Sequence, residues 1–196
     1  VTDARPNDYI NFLIPSVGSR EMPFVVAAKG LVSDIMTQAD KDPACGYKGL
    51  LTGLHTGDDL VQEDYNVRNQ AVSKGSSTNI KEGSAARLND IITFYHPVAE
   101  GKYPSRRYVV DMMKLMNVVY NVRLIMEADE MIGVPLVLDA DVVTNPNAVQ
   151  PKMVVTAFVN LAKSLASKAI ISDAEFTKKN LEVKIDSENP KRLNVK

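Results

Sequence analysis

Few residues that could carry out catalysis occur in this chain of 196 residues, and they match no recognised catalytic pattern. The two histidines, His55 and His96, both lie in turn-rich stretches. His55 stands beside Thr56 and Asp58, a neighbourhood that would suit a general base. The sequence contains no G-x-S-x-G nucleophile pattern, so we predict that both histidines are surface residues.

Cys45 is the only cysteine, which excludes a disulfide within the chain and a cysteine-based zinc site. Such cysteine usage is typical of a protein in a reducing compartment. Paired with a histidine, Cys45 would be a candidate nucleophile. We predict instead that it is a small, semi-buried apolar side chain.

Acidic residues cluster at Glu127, Asp129 and Glu130, and again at Asp139 and Asp141. Neither group has the spacing of a calcium-binding loop, and no H-E-x-x-H motif is present. The prediction is therefore solvated carboxylates, with no metal and no cofactor.

Charge gives little indication of a partner, because the formal net charge is -1. This value disfavours nucleic acid and anionic lipid as partners. Arg106 and Arg107 lie near the start of a predicted helix, where positive charge opposes the helix dipole. We predict two solvated arginines; the alternative is a surface for an acidic partner.

The longest predicted element is a helix over residues 105–133, about 40 Å long at 1.5 Å per residue. Ser105 would cap its start and Gly133 would end it. Its polar residues form one narrow stripe: Arg107, Asp111, Lys114, Asn117 and Asn121. Since the remaining positions are mostly apolar, we predict a central, buried helix. A membrane span is the alternative, and the charges at Asp111, Lys114 and Arg123 oppose it.

Shorter elements surround this helix. Strands are predicted over residues 9–14, within residues 41–57, and over residues 87–95. Helices are predicted over residues 23–40, from Glu63 or Asp64 to Gly75, and over residues 151–171. Residues 134–150 are predicted to be irregular and on the surface. This order predicts an α/β (α+β) fold, a mixed sheet with packed helices, in one domain over residues 1–196.

Several sequence blocks occur in a particular order along the second half of the chain. They are the Gly-Ser-Ser-Thr turn of residues 75–78, the strand at 87–95, two parts of the long helix at 107–111 and 121–125, and C-terminal segments at 171–173, 176–180 and 185–195. Together they resemble the tail sheath proteins of contractile-tailed phages, of the Mu-like and giant-phage types. Ser76 stands where the family's turn usually has Ile. The first 74 residues are similar more loosely, through Pro23, Ala27 and Ala28.

The resemblance implies a structural subunit that polymerises around a rigid tail tube and contracts to drive the tube through the host envelope. Its partners would be other sheath subunits and the tail tube protein, without nucleic acid or membrane insertion. The implied protein is not an enzyme, is assembled in the bacterial host cytoplasm and belongs to the virion. Sheaths of pyocins and of secretion-type injection machines are alternatives within the same class.

The chain opens on Val-Thr-Asp-Ala without Met, and the family's sequences extend beyond both of its ends. We therefore expect a C-terminal-half fragment, or a protease-resistant core, that lacks the C-terminal arm and is monomeric in isolation. Two functions from other classes remain open. One is an enzymatic or ligand-binding domain around residues 41–57 and His55; the other is a nucleic-acid binder, which the net charge disfavours.

Strict alternation of apolar and polar residues over residues 181–186 predicts a strand, and it resumes after a turn at residues 187–190. The two segments are predicted to pair as a hairpin. In the family, linking arms add strands to neighbouring subunits' sheets, and an open strand edge is a template for such pairing. The candidate intersubunit residues are therefore Leu181, Val183, Ile185, Leu193 and Val195.

Overall fold

A computed structural model describes residues 2–14, 21–47, 49–55, 64–96 and 106–196, except for the side chains of residues 3 and 52–55. Helices and antiparallel sheets both contribute to it, which confirms the α/β (α+β) class. The chain separates into two compact units, Val1–Lys114 and Leu115–Lys196. The prediction of one domain over residues 1–196 stays a prediction.

One continuous helical run opens the first unit after a short 3-10 turn. It consists of α1 (Pro23–Lys29), a π-helical segment (Gly30–Met36) and α2 (Thr37–Lys41). Pro23 lies in the first turn, where its missing N–H costs nothing. The helix predicted over residues 23–40 is thus found, with a π-helical interruption that the sequence did not indicate.

Three antiparallel strands form the sheet of the first unit, in the order β1 (Leu50–His55), β3 (Ala85–Asp90) and β2 (Thr78–Glu82). A helix, α3 (Tyr65–Ser73), precedes β2 and is capped by Asp64, whose side chain accepts hydrogen bonds from two backbone N–H groups. A tight turn at Gly83 joins β2 to β3 and makes them antiparallel. The predicted mixed sheet is therefore an antiparallel one.

Residues 9–14 do not form the strand that their apolar run predicted. Only Phe12 makes a ladder contact, an isolated antiparallel bridge to Thr93. Ile10 is 78% exposed and Leu13 is 44% exposed, so this run is not buried on both faces as a central strand would be. The strand predicted over residues 87–95 is also shorter than expected, because its regular pairing ends at Asp90. Beyond Asp90, only Ile92 and Thr93 form isolated bridges.

The hydrophobic core of the first unit joins the helical run to the sheet. Ile14 contributes to it from outside these elements, and the start of the longest helix adds Val109. The buried members are Ile14, Val26, Ile35, Leu51, Ala86, Leu88 and Val109.

The longest helix is α4 (Val109–Met126), shorter than predicted at both ends. Ser105, its predicted cap, lies outside the described residues. After Met126 the chain continues in turns, and Gly133 adopts a positive φ of 70°. The acidic residues from Glu127 onward explain the early end, since negative charge is unfavourable at the C-terminus of a helix.

The prediction that this helix is buried is wrong for most of its length. Among the residues of α4, Val109 alone is buried. Five large apolar side chains are between 40% and 62% exposed: Leu115, Met116, Val119, Tyr120 and Leu124. The apolar composition of α4 predicts that other residues bury it, but no described residues bury the side that carries these five side chains.

The second unit contains α5 (Pro151–Ser167), α6 (Ala174–Asn180) and a hairpin of β4 (Val183–Ile185) and β5 (Leu193–Val195). Helix α5 ends four residues before its predicted end at 171, because Ala169 turns into the left-handed region with φ 56°. The core of the second unit is the cluster of Val149, Val154, Phe158 and Val183. From α4, Val122 packs against this cluster as a partly buried residue.

Gly75 is the glycine whose backbone conformation most constrains the first unit. It has φ 76°, and a Cβ there would lie 2.8 Å from the carbonyl oxygen of Phe94. Gly83 has φ 63° but nothing within 4 Å of a Cβ. We expect Gly75→Ala to lower the free energy of unfolding by about 3 kcal/mol and Gly83→Ala by about 1 kcal/mol. Denaturant unfolding of both variants measures the difference, and equal losses would contradict the close approach to Phe94.

The uneven burial of α4 generates a second prediction. Val122→Asp places a charge against the core of the second unit and should cost about 3 kcal/mol. Leu115→Asp changes a side chain that is 49% exposed, so its cost should stay below about 1 kcal/mol. Thermal unfolding of the two variants side by side compares them. A loss at Leu115 as large as that at Val122 would show that the exposed side of α4 is covered in solution.

Candidate intersubunit surface

The predicted hairpin is confirmed by its register. Val183 pairs with Val195, Lys184 with Asn194, and Ile185 with Leu193. The turn is fixed by Asp186, whose Oδ1 accepts hydrogen bonds from the backbone N–H groups of residues 188 and 189. Its Oδ2 accepts a hydrogen bond from the Asn194 side chain, which is the main reason that the pKa of the Asp186 carboxyl is lowered.

All five candidate residues lie on one face of this hairpin, because side chains alternate along each strand. Val183 is 8% exposed and packs against α5, and Leu181 and Leu193 are partly buried in the same cluster. Ile185 is half-buried, and Val195 is 42% exposed. Most of the apolar face is therefore used within the chain's own core. What the hairpin offers to another chain is chiefly its backbone.

The two outer edges of the hairpin have no strand paired with them among the described residues. Glu182 and Lys196 exchange both of their backbone hydrogen bonds, at 3.0 and 2.9 Å. In an antiparallel pair such residues alternate with residues whose backbone groups face away from the partner strand. The N–H and C=O groups of Val183 and Ile185 therefore face outward on β4, and those of Leu193 and Val195 face outward on β5.

A second exposed feature is the apolar face of α4, defined by Leu115, Met116, Val119, Tyr120 and Leu124. Spacings of four residues place Leu115 with Val119, and Met116 with Tyr120 and Leu124, along one side of the helix. Contiguous exposed apolar surface on a soluble protein commonly marks a contact with another molecule. No helix in the described part of the chain is both long and apolar enough to cross a bilayer.

The residues considered for catalysis are described only in part. The side chain of His55 lies outside the described part, although its backbone ends β1. His96 is half-buried rather than on the surface, with its Nδ1 2.6 Å from the carbonyl oxygen of Phe94. The described residues contain no group of three or more potential metal ligands.

Cys45 is exposed, so the prediction of a semi-buried side chain is wrong. A hydrogen bond to Asp42 and the negative charge of that residue raise the pKa of the Cys45 thiol. A raised pKa leaves less thiolate at neutral pH, which makes the sulfur a poor nucleophile.

The two arginines before α4 serve the structure of the first unit. Arg107 donates a hydrogen bond from Nη2 to the carbonyl oxygen of Val72 at 2.6 Å and is half-buried. Arg106 lies over the Tyr9 ring, 4.5 Å from its centroid. Arg107 is thus not the solvated residue that was predicted.

Comparison with models of protein families finds none that matches this sequence, and comparison with curated proteins also finds no match. The sheath resemblance therefore rests on the sequence blocks alone.

The effect of Asp42 on Cys45 can be measured directly. Asp42→Asn removes the charge that raises the thiol pKa but keeps an acceptor for the Ala44 N–H. We expect alkylation of Cys45 at pH 8 to become several-fold faster, with the difference disappearing at a pH above the thiol pKa of both forms. Asp40→Asn, at an exposed position on α2, should leave the rate unchanged. An unchanged rate in Asp42→Asn would show that the charge of Asp42 does not raise the pKa of the Cys45 thiol in solution.

Proposed function

We propose that this chain is part of the structural subunit of a contractile tail sheath, which polymerises around a tail tube and contracts to drive it through a host envelope. The observation that carries the proposal is the β4–β5 hairpin, which lies in the region that resembles sheath proteins and whose two outer edges pair with no other described strand. The proposed partners are other sheath subunits and the tail tube protein, and the proposed location is the virion.

The hairpin has the physical properties that strand addition needs. Val183 anchors it to α5 through the core of the second unit, so the outward backbone groups are held in a fixed orientation. A strand from a neighbouring subunit would gain backbone hydrogen bonds at either edge, and alternate side chains would set its register. The same interaction would serve a sheath of the pyocin or secretion type.

The apolar face of α4 supports an assembly role independently of the hairpin. It also lies in the region of resemblance, and Tyr120, which is 61% exposed, is a residue type enriched at protein interfaces. Burial of such a face against a neighbouring protein would contribute through the hydrophobic effect. No catalytic residue is needed for this function.

The test uses the full-length protein and changes only the outward N–H groups. Val195→Pro and Ile185→Pro each remove one outward N–H that the hairpin itself does not use. Val195→Thr and Ile185→Val keep that N–H and a branched side chain, and serve as matched controls. Electron microscopy of negatively stained samples is the measurement, with circular dichroism to verify that each variant is folded.

We expect tubular polymers from the unchanged protein and both controls, and loss of tubes in at least one folded proline variant. Tubes of normal length in both proline variants would contradict strand addition at this hairpin. Absence of tubes from the unchanged full-length protein, in the presence of tail tubes, would contradict the sheath function itself.

A further inference from the structure

A cavity of about 150 Å³ lies within the first unit. The helical run contributes Ile35 and Ala39, the following loop contributes Cys45, the end of β3 contributes Asp90, and the start of α4 contributes Val109 and Met113. All of these elements belong to one compact unit, so the cavity is part of a single packed body.

The wall of this cavity is mainly apolar, and Asp90 is the one acidic residue among the residues that line it. Ile35 and Val109 are buried members of the hydrophobic core, and Met113 packs against them. Asp90 is half-buried; its Oδ2 accepts a hydrogen bond from the Asn89 side chain at 3.0 Å. It forms no ion pair with the described residues.

The volume and this charge together select a class of ligand. An apolar cavity of about 150 Å³ accommodates a single benzene-sized ring. A carboxylate beside an apolar wall favours a positively charged, hydrogen-bond-donating group, since a charge-assisted hydrogen bond offsets the loss of water. An anion of the same size would be repelled by Asp90.

We propose that this cavity is a binding site for a small organic cation that carries one apolar ring. The ring occupies the space between Ile35, Ala39 and Met113, and the ammonium group donates to the Asp90 carboxylate. This site is independent of the sheath function, because it lies in the first unit and the hairpin lies in the second.

The test is a titration of the chain with benzylamine, followed by NMR of the methyl groups of Ile35, Ala39 and Met113. A bound ring shifts these signals through its ring current. We expect saturable shifts with a dissociation constant of about 1 mM, the affinity typical of a ligand this small. Benzyl alcohol, which has nearly the same shape without the charge, should bind about tenfold more weakly. Benzoate should produce no shifts.

Two variants locate the site. Asp90→Asn should remove the preference for benzylamine over benzyl alcohol, and Ala39→Leu should fill the space and abolish both sets of shifts. Ala28→Leu, on the exposed side of the same helical run, is the matched control and should bind normally. The only thiol of the chain, Cys45, provides a second readout, because an occupied cavity should slow its modification while an equal concentration of ammonium chloride should not.

The titrations of the unchanged protein test the proposal even if a variant fails to fold. Absence of saturable methyl shifts with benzylamine would overturn the proposal. Equal affinity for benzylamine, benzyl alcohol and benzoate would overturn the assignment of a cation.

Discussion

The burial of Val183 in one core cluster with Val154 and Phe158 is the interaction on which the proposed assembly surface depends. Because side chains alternate along a strand, burial of this one residue decides which face of the hairpin points inward. The pairing of Val183 with Val195 places the side chains of β5 on the same faces as those of β4. Backbone hydrogen bonds within the hairpin then determine which N–H and C=O groups remain for another chain. The burial of Val183 thus fixes the orientation of the outer edges of both β4 and β5.

Apolar residues have different surroundings in the core of the first unit and along α4. In the first unit, the helical run and the sheet cover each other, and Leu51, Leu88 and Val26 are almost completely buried. In α4, residues of the same types remain in contact with solvent. Exposed apolar area of this kind is thermodynamically unfavourable unless another molecule covers it. The exposed face of α4 is the surface that the proposed assembly would cover.

Local signals in the sequence predicted most elements, and tertiary contacts account for the failures. Pro23, Asp64 and Pro151 mark helix starts correctly because caps and first-turn prolines act within a few residues. The alternation at residues 181–186, which resumes after the turn, also correctly predicted the pairing of β4 with β5. The run at residues 9–14 failed because its apolar residues do not all face the core, which depends on distant parts of the chain. The cavity beside Asp90 had no sequence signal, since its walls come from four separate segments. The side chain of His55, central to the enzymatic alternative, lies outside the described residues.

The π-helical segment Gly30–Met36 has a consequence for how this unit tolerates changes in chain length. The buried positions of the helical run are Val26, Gly30, Asp34 and Ile35. Asp34 keeps the α-helical spacing of four residues from Gly30, whereas the apolar core residue Ile35 lies five residues from Gly30. A π-helical turn holds one residue more than an α-helical turn of the same span. Removal of one residue between Gly30 and Ile35 would restore an ordinary α-helix with the flanking core positions still aligned. The same removal within α1 would rotate every later side chain away from its neighbours. We therefore expect this segment to tolerate the loss of one residue better than α1 does.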